Sequence, residues 1–239
     1  MPQTSRTMRF AVAAAMLAGA CAAPALAQHT EEAARQAAQE VKLLVGEGSA
    51  VVGDLQSAIN SGKATKEQVA PDVLVGQFQA RYQKAAGAPL DTKAPGLVGE
   101  ARRSYLQAYT SVVTRYQGTM VKGGQDAFVP AFFRAQVLKD FNQLMAGQVQ
   151  VYATNREGEL INGDWAVRKV MKASPLAPEV EKLMATGGLD PVVKRSGTRV
   201  MGYYPMKLGN ACVTCHAANG LKQVEGGFGG ALVAEIPVK

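Results

Sequence analysis

The chain has 239 residues and a net charge of +7, with 47% hydrophobic and 19% charged residues. Such a length suits one large domain, or a smaller domain with a helical extension. The Lys and Arg residues form neither a run nor an aromatic-interleaved patch, so a nucleic-acid-binding protein is not indicated.

Residues 1–27 have the features of a secretory signal peptide. Arg6 and Arg9 form a basic start, the apolar run 10–20 is too short to span a bilayer comfortably, and 25–27 is an A-x-A cleavage site. We therefore expect export to the periplasm, and we expect no transmembrane anchor in the mature chain.

Region 28–125 is predicted to be helical. Apolar residues recur at three- and four-residue steps from Thr30, a candidate N-cap, to Gly62, which indicates an unusually long amphipathic helix. A second helix is expected from Pro71 to just before Gly87. After a connector over 88–99, a third helix is expected to end at Gly123, and its aromatic and Met stripe is typical of core packing.

Region 126–239 is predicted to be mixed. A fourth helix is expected from Pro130 to Gly147, and residues 155–163 are expected to form a loop followed by two short helices. The predicted strands lie at 148–154, 191–196, 198–207 and 231–238, with a hairpin between the second and third. Helices that come first and an antiparallel sheet that is built late indicate an α+β fold.

One motif in this region carries specific chemistry, Cys212-Val-Thr-Cys215-His216. Two thiols at this spacing can bond both vinyl groups on one edge of a porphyrin, and the adjacent imidazole can bind the iron. The motif therefore predicts one covalent haem c, with thioether bonds at Cys212 and Cys215 and with His216 as proximal ligand. Haem c is attached outside the bacterial inner membrane, which agrees with the export signal.

Two other interpretations of the cysteine pair fit less well. A thioredoxin-like redox couple stands where a helix begins after a strand, whereas Gly and Asn surround this pair. A structural zinc ion needs four Cys or His ligands, and outside the motif the sequence offers only Cys21 and His29.

The distal side of the iron is left open by the sequence. Met206 is nominated because it shares a predicted strand with Tyr203 and Tyr204, two candidate pocket residues, and this strand runs into the motif. Met206 and Tyr204 are expected on one face of the strand and Tyr203 on the other, and packing against the porphyrin would explain Met206 equally well. The other candidates are water, His29, Tyr203, Tyr204, Met120, Met145, Met171, Met184 and Met201.

Several segments resemble a family of periplasmic c-type haem proteins with a PAS-like fold, long catalogued as a domain of unknown function. They are Phe128 to Arg134, Asn155-Arg156, Asn162 to Trp165, Val200 to Met206, the haem motif and Gly229 to Pro237. Members occur as free exported proteins and as sensor domains of histidine kinases and chemoreceptors. The resemblance covers 126–239 and implies a small antiparallel sheet flanked by helices, with one haem. Some members place a Cys or Met from an N-terminal helix on the iron, and this mature chain has no spare Cys.

Three classes of function follow. A sensory haem protein would bind CO or NO at an open iron, whereas an electron carrier would be six-coordinate and would meet a redox partner protein. An enzyme such as a peroxidase is not expected, because a distal His or Glu with Arg to move protons is not evident.

The alternative fold is a four-helix bundle similar to cytochrome c′, which would contain almost no sheet.

Overall fold

The computed structural model describes residues 29–123, 130–154, 159–160, 171–172, 190–209, 213, 222 and 224–239. These residues form four helices, a four-stranded antiparallel sheet and a separate pair of two-residue strands. The predicted α+β class is thereby confirmed, since an all-helical bundle would contain no such sheet. The short helices predicted after 163 lie outside the described residues.

The helices are α1 (Glu31–Asn60), α2 (Pro71–Ala86), α3 (Gly96–Lys122) and α4 (Pro130–Leu144). The strands are β1 (Gln150–Ala153), β2 (Glu159–Leu160), β3 (Met171–Lys172), β4 (Val192–Ser196), β5 (Arg199–Lys207) and β6 (Phe228–Pro237). The β2–β3 pair was not predicted, and β2 lies within the loop expected over 155–163. Strands of two residues are too short to show an alternating pattern.

Helix α1 is the element on which the others pack. Its 30 residues span about 45 Å, and it contacts α2, α3, α4 and the sheet. The Thr30 side chain accepts a hydrogen bond from the Ala33 backbone N–H, as expected of an N-cap, and the first turn is acidic. The predicted long helix is confirmed at both ends.

The boundaries of α2 and α3 lie at or next to Pro and Gly residues. Helix α2 begins at Pro71 and ends before Gly87, which has a left-handed backbone with φ of 74°. Helix α3 ends before Gly123 as predicted, but it begins at Gly96, inside the predicted connector. Helices α1 and α3 run side by side in one direction, because Gly48 meets Tyr105 and Ile59 meets Gly123.

The sheet has the strand order β1-β6-β5-β4. The predicted hairpin is confirmed, with β4 and β5 joined through Gly197, and β6 begins three residues before its predicted start. One face of the sheet, which includes Val200, Tyr204 and Leu232, shares a single apolar core with all four helices. The other face carries a second cluster, Met201, Tyr203, Ala231 and Val233.

The start of α1 is bound to the sheet at the end of β6 and at the edge strand β4. His29 forms a parallel bridge with Val238, and the Arg35 guanidinium donates to the Val193 carbonyl over 2.7 Å. None of the described helices is both long enough and apolar enough to cross a membrane.

Candidate functional site

The last strand before the haem motif has a well-defined end. The Leu208 N–H donates to the Gly227 carbonyl over 2.9 Å, and the Gly226 N–H donates to the Leu208 carbonyl over 2.8 Å. Both backbone groups of Leu208 are therefore bound to the turn that precedes β6, and this pairing fixes the point at which the chain leaves the sheet.

Val213, between the two motif cysteines, is the residue of the motif that the structure describes. It has helical backbone conformation, and its N–H donates to the Gly209 carbonyl over 3.1 Å, which is the i to i−4 bond of an α-helix. Chain connectivity limits the distance from Val213 to His216 to about 11 Å. The motif thus begins at the C-terminal end of β5, while Cys212, Cys215 and His216 themselves lie outside the described residues.

Met206 lies at an irregularity in the sheet. Pro205 pairs with Ala231 and Lys207 pairs with Phe228, so one residue of β5 faces two residues of β6. Such a bulge bends the strand and increases its twist. It involves Gly229, where a Cβ atom would lie 2.6 Å from Leu208 Cδ2, so a side chain at this position would displace that of Leu208.

The sequence patterns did not indicate Leu208 or the turn at 226–227, and Gly229 was noted only as the start of a segment that resembles the haem family. The two Gly-Gly pairs at 226–227 and 229–230 are the signal that could have indicated a bulge and a close approach there.

The predicted division of side chains between the two sheet faces is confirmed. Met206 and Tyr204 both pack on the core shared with the helices, whereas Tyr203 belongs to the cluster on the opposite face. Pro205 does not disturb the alternation of β5, because the extra residue of the bulge lies in β6.

Tyr204 lies flat on the sheet. A Cβ atom on Gly202 would be 2.8 Å from its Cε2 and 2.9 Å from its hydroxyl, so the ring extends back over Gly202 toward the start of β5. Tyr204 is 5% exposed, its hydroxyl has no hydrogen-bond partner in the part of the chain that the structure describes, and Lys42 Nζ is 5.9 Å from the ring centroid. Burial raises the pKa of Tyr204. The hydroxyl is therefore directed away from the end of β5 where the motif begins.

Tyr203 occupies the other face, opposite Val233 of β6 and Val192 of β4. It is 1% exposed, and its buried hydroxyl also has no hydrogen-bond partner among the residues described. Burial raises its pKa, so a phenolate at this position would need a nearby cation.

Four other candidates for the distal ligand, His29, Met120, Met145 and Met201, lie in parts of the fold other than the end of β5. His29 is next to Val238 at the start of β5, about 27 Å along the strand from its end. Met120 is buried near the end of α3, Met145 follows α4, and Met201 is on the second face of the sheet. Met171 lies in β3, and Met184 is outside the described residues. Among the methionines whose side chains are described, Met206 is the one at the end of β5.

In the part of the chain that the structure describes, His, Cys, Asp and Glu side chains form no group of three or more that could hold a metal ion. The sequence matches no family model and no curated protein, and no solved structure matches the fold.

Proposed function

We propose that this protein is an exported monohaem c-type haem protein that acts in redox or ligand sensing, or as a haem redox protein. The observation that carries the proposal is the motif Cys212-Val-Thr-Cys215-His216, which follows β5 in the chain. The resemblance of region 126–239 to the PAS-like periplasmic haem family supports it, and an antiparallel sheet flanked by helices is compatible with that family's fold.

The chain's own residues suit such a group. Two thiols and an imidazole are the donor set of a covalent haem, and the strand that leads to them ends in the apolar side chains of Met206 and Leu208. Bound haem supplies an iron that changes oxidation state or takes a small ligand. In this proposal Cys212 and Cys215 hold the porphyrin, His216 orients the iron, and the end of β5 excludes water from one edge of the site.

Covalent attachment is the first test. The mature protein, purified from the periplasm of a host competent in haem c maturation, is expected to keep one haem per chain after acid-acetone extraction. Cys212→Ala or Cys215→Ala should weaken or abolish attachment, while His216→Ala should retain the haem and change its spectrum. The control is Cys21→Ala, which removes a cysteine from the predicted signal peptide. Recovery of bare polypeptide from the wild-type gene would overturn the proposal.

An electron carrier is the second candidate function, and the position of Met206 favours it. A thioether on the distal side would give a six-coordinate iron of raised potential, as suits exchange with a redox partner protein. The absorption spectrum with and without CO and NO separates the two functions. A sensor with an open iron changes its spectrum on addition of either gas, whereas a six-coordinate carrier changes little.

A further inference from the structure

A buried tyrosine, glutamate and arginine join the three N-terminal helices. The Tyr82 hydroxyl of α2 donates to Glu40 Oε1 of α1 over 2.6 Å. Arg102 of α3 donates to the same carboxylate through Nε and Nη2, both over 3.0 Å. The Glu40 side chain is 10% exposed, and the Arg102 guanidinium lies 5.8 Å from the Tyr82 ring centroid. The phenol proton therefore already points at an oxygen of the Glu40 carboxyl group.

Tyr82 also belongs to a continuous set of aromatic rings. Its centroid is 6.4 Å from that of Phe78, which stacks on Tyr109 at 4.9 Å and lies 5.5 Å from Tyr105. Tyr109 and Tyr105 in turn contact Phe133 and Phe141 of α4, at 5.3 and 6.1 Å. An electron vacancy that forms on one of these tyrosines can pass to another by tunnelling across the phenylalanine rings between them, which are too hard to oxidise to hold it.

The proton determines where such a vacancy settles. A phenol that loses an electron becomes a strong acid, so the loss is favourable only where a base accepts the proton at the same time. The Tyr109 hydroxyl is buried without a hydrogen-bond partner among the described residues, whereas Tyr82 faces Glu40. Burial and the hydrogen bond to Glu40 raise the pKa of Tyr82 to about 12, so the phenol is protonated before oxidation at neutral pH.

We propose that Tyr82 is a proton-coupled redox site, at which oxidising equivalents that enter the aromatic rings are held as a neutral tyrosyl radical. The oxidant is an external one-electron acceptor of the peroxyl-radical class. It gains one electron and becomes a peroxide anion, which takes a proton from water. Tyr82 loses that electron, its O–H bond breaks, and the proton passes to Glu40 Oε1. Glu40 becomes a neutral acid.

Arg102 makes the step reversible. It donates to both oxygens of Glu40, and these hydrogen bonds raise the pKa of Arg102. Protonation of Glu40 removes the charge on which this ion pair depends, so the proton returns when the radical is reduced. The same contacts also tie α1, α2 and α3 together.

A second tyrosine provides a matched control. The Tyr152 hydroxyl donates to Glu235 Oε1 over 2.8 Å, and Arg199 binds Glu235 Oε2 over 2.5 Å. The residue types are the same, but Tyr152 lies in β1 and packs on the second apolar cluster of the sheet, whereas the rings around Phe78 belong to the core shared with the helices. Tyr152 is therefore outside the set of rings that surrounds Tyr82.

The test oxidises the purified full-length mature protein with photogenerated tris(bipyridine)ruthenium(III) and detects the tyrosyl radical by EPR. This readout needs no haem, so its outcome is independent of the haem proposal. Tyr82→Phe should remove the radical, Glu40→Gln should lower its yield about tenfold or more because the base is lost, and Tyr152→Phe should leave it unchanged. Formation of the wild-type radical should also be slower in D₂O. A full signal in Tyr82→Phe, its loss in Tyr152→Phe, or equal rates in H₂O and D₂O would overturn the proposal.

Discussion

Met206 lies on the sheet face that packs against the helices, at the position where β5 and β6 lose their regular register. A bulge of this kind re-aims the side chain next to it, and a thioether is a soft ligand that suits haem iron. Met201 is on the same strand but on the opposite face, within the second apolar cluster. The two methionines therefore form a natural pair for comparison.

We expect the wild-type ferric protein to show the weak near-infrared charge-transfer band of methionine ligation. Met206→Leu should abolish the band and lower the reduction potential, because a thioether favours ferrous iron. Met201→Leu should leave both unchanged, at a cost in stability below about 1.5 kcal/mol. A band that persists in Met206→Leu would show that Met206 packs beside the porphyrin without binding the iron.

At the scale of elements, the ends of α1 and α3 are held together at Gly123. This residue has φ of 64°, and a Cβ atom on it would lie 2.5 Å from the Ile59 carbonyl oxygen and 2.6 Å from Gly62 Cα. Both neighbours are backbone atoms, which cannot rotate away as a flexible side chain can. The close approach of the two helices thus depends on glycine at this position.

Gly123→Ala is therefore expected to destabilise the protein by about 1–3 kcal/mol, from backbone strain and overpacking together. The control is Gly118→Ala in the same helix, where the position is exposed and a Cβ atom meets no neighbour within 4 Å. That change should stabilise the helix by about 0.5–1 kcal/mol. Urea unfolding curves measure both changes, and equal midpoints for the two variants would contradict the packing argument.

At the scale of the whole molecule, the helical core encloses tyrosines whose phenols ionise only at a pH above the usual value. Burial raises the pKa of Tyr82, Tyr105 and Tyr109 above the usual value. A raised pKa in the folded state contributes stability that is complete below the unfolded-state pKa of about 10 and is lost as the pH rises through the folded-state value. The protein should consequently lose stability between pH 10 and the Tyr82 pKa of about 12.

An alkaline titration checks this expectation. Phenolate absorbance near 295 nm and far-UV circular dichroism are followed together as the pH is raised. The three core phenols should ionise only as the helical signal is lost, and Tyr105→Phe or Tyr109→Phe should each remove one phenol from this late group. Full ionisation near pH 10 with an unchanged helical signal would contradict it.

The sequence by itself determined the features that depend on neighbouring residues. Local backbone chemistry explains four helix boundaries. They are the N-cap of α1 at Thr30, the start of α2 at Pro71, and the ends of α2 and α3 at Gly87 and Gly123. The Cys212-Val-Thr-Cys215-His216 motif is equally local, because the residues that we propose to hold haem are close together in the chain. The alternation of Tyr203, Tyr204 and Met206 follows from the period of a strand.

Only the tertiary structure decided how distant segments meet. It placed His29 beside Val238, at the opposite end of β5 from the motif. It also brought Tyr82 of α2 and Arg102 of α3 onto the Glu40 carboxylate of α1. It also put the extra bulge residue in β6 beside Met206. Helix periodicity shows which side of a helix is buried but not which partner covers it, because partners far apart in the chain are chosen by packing and register.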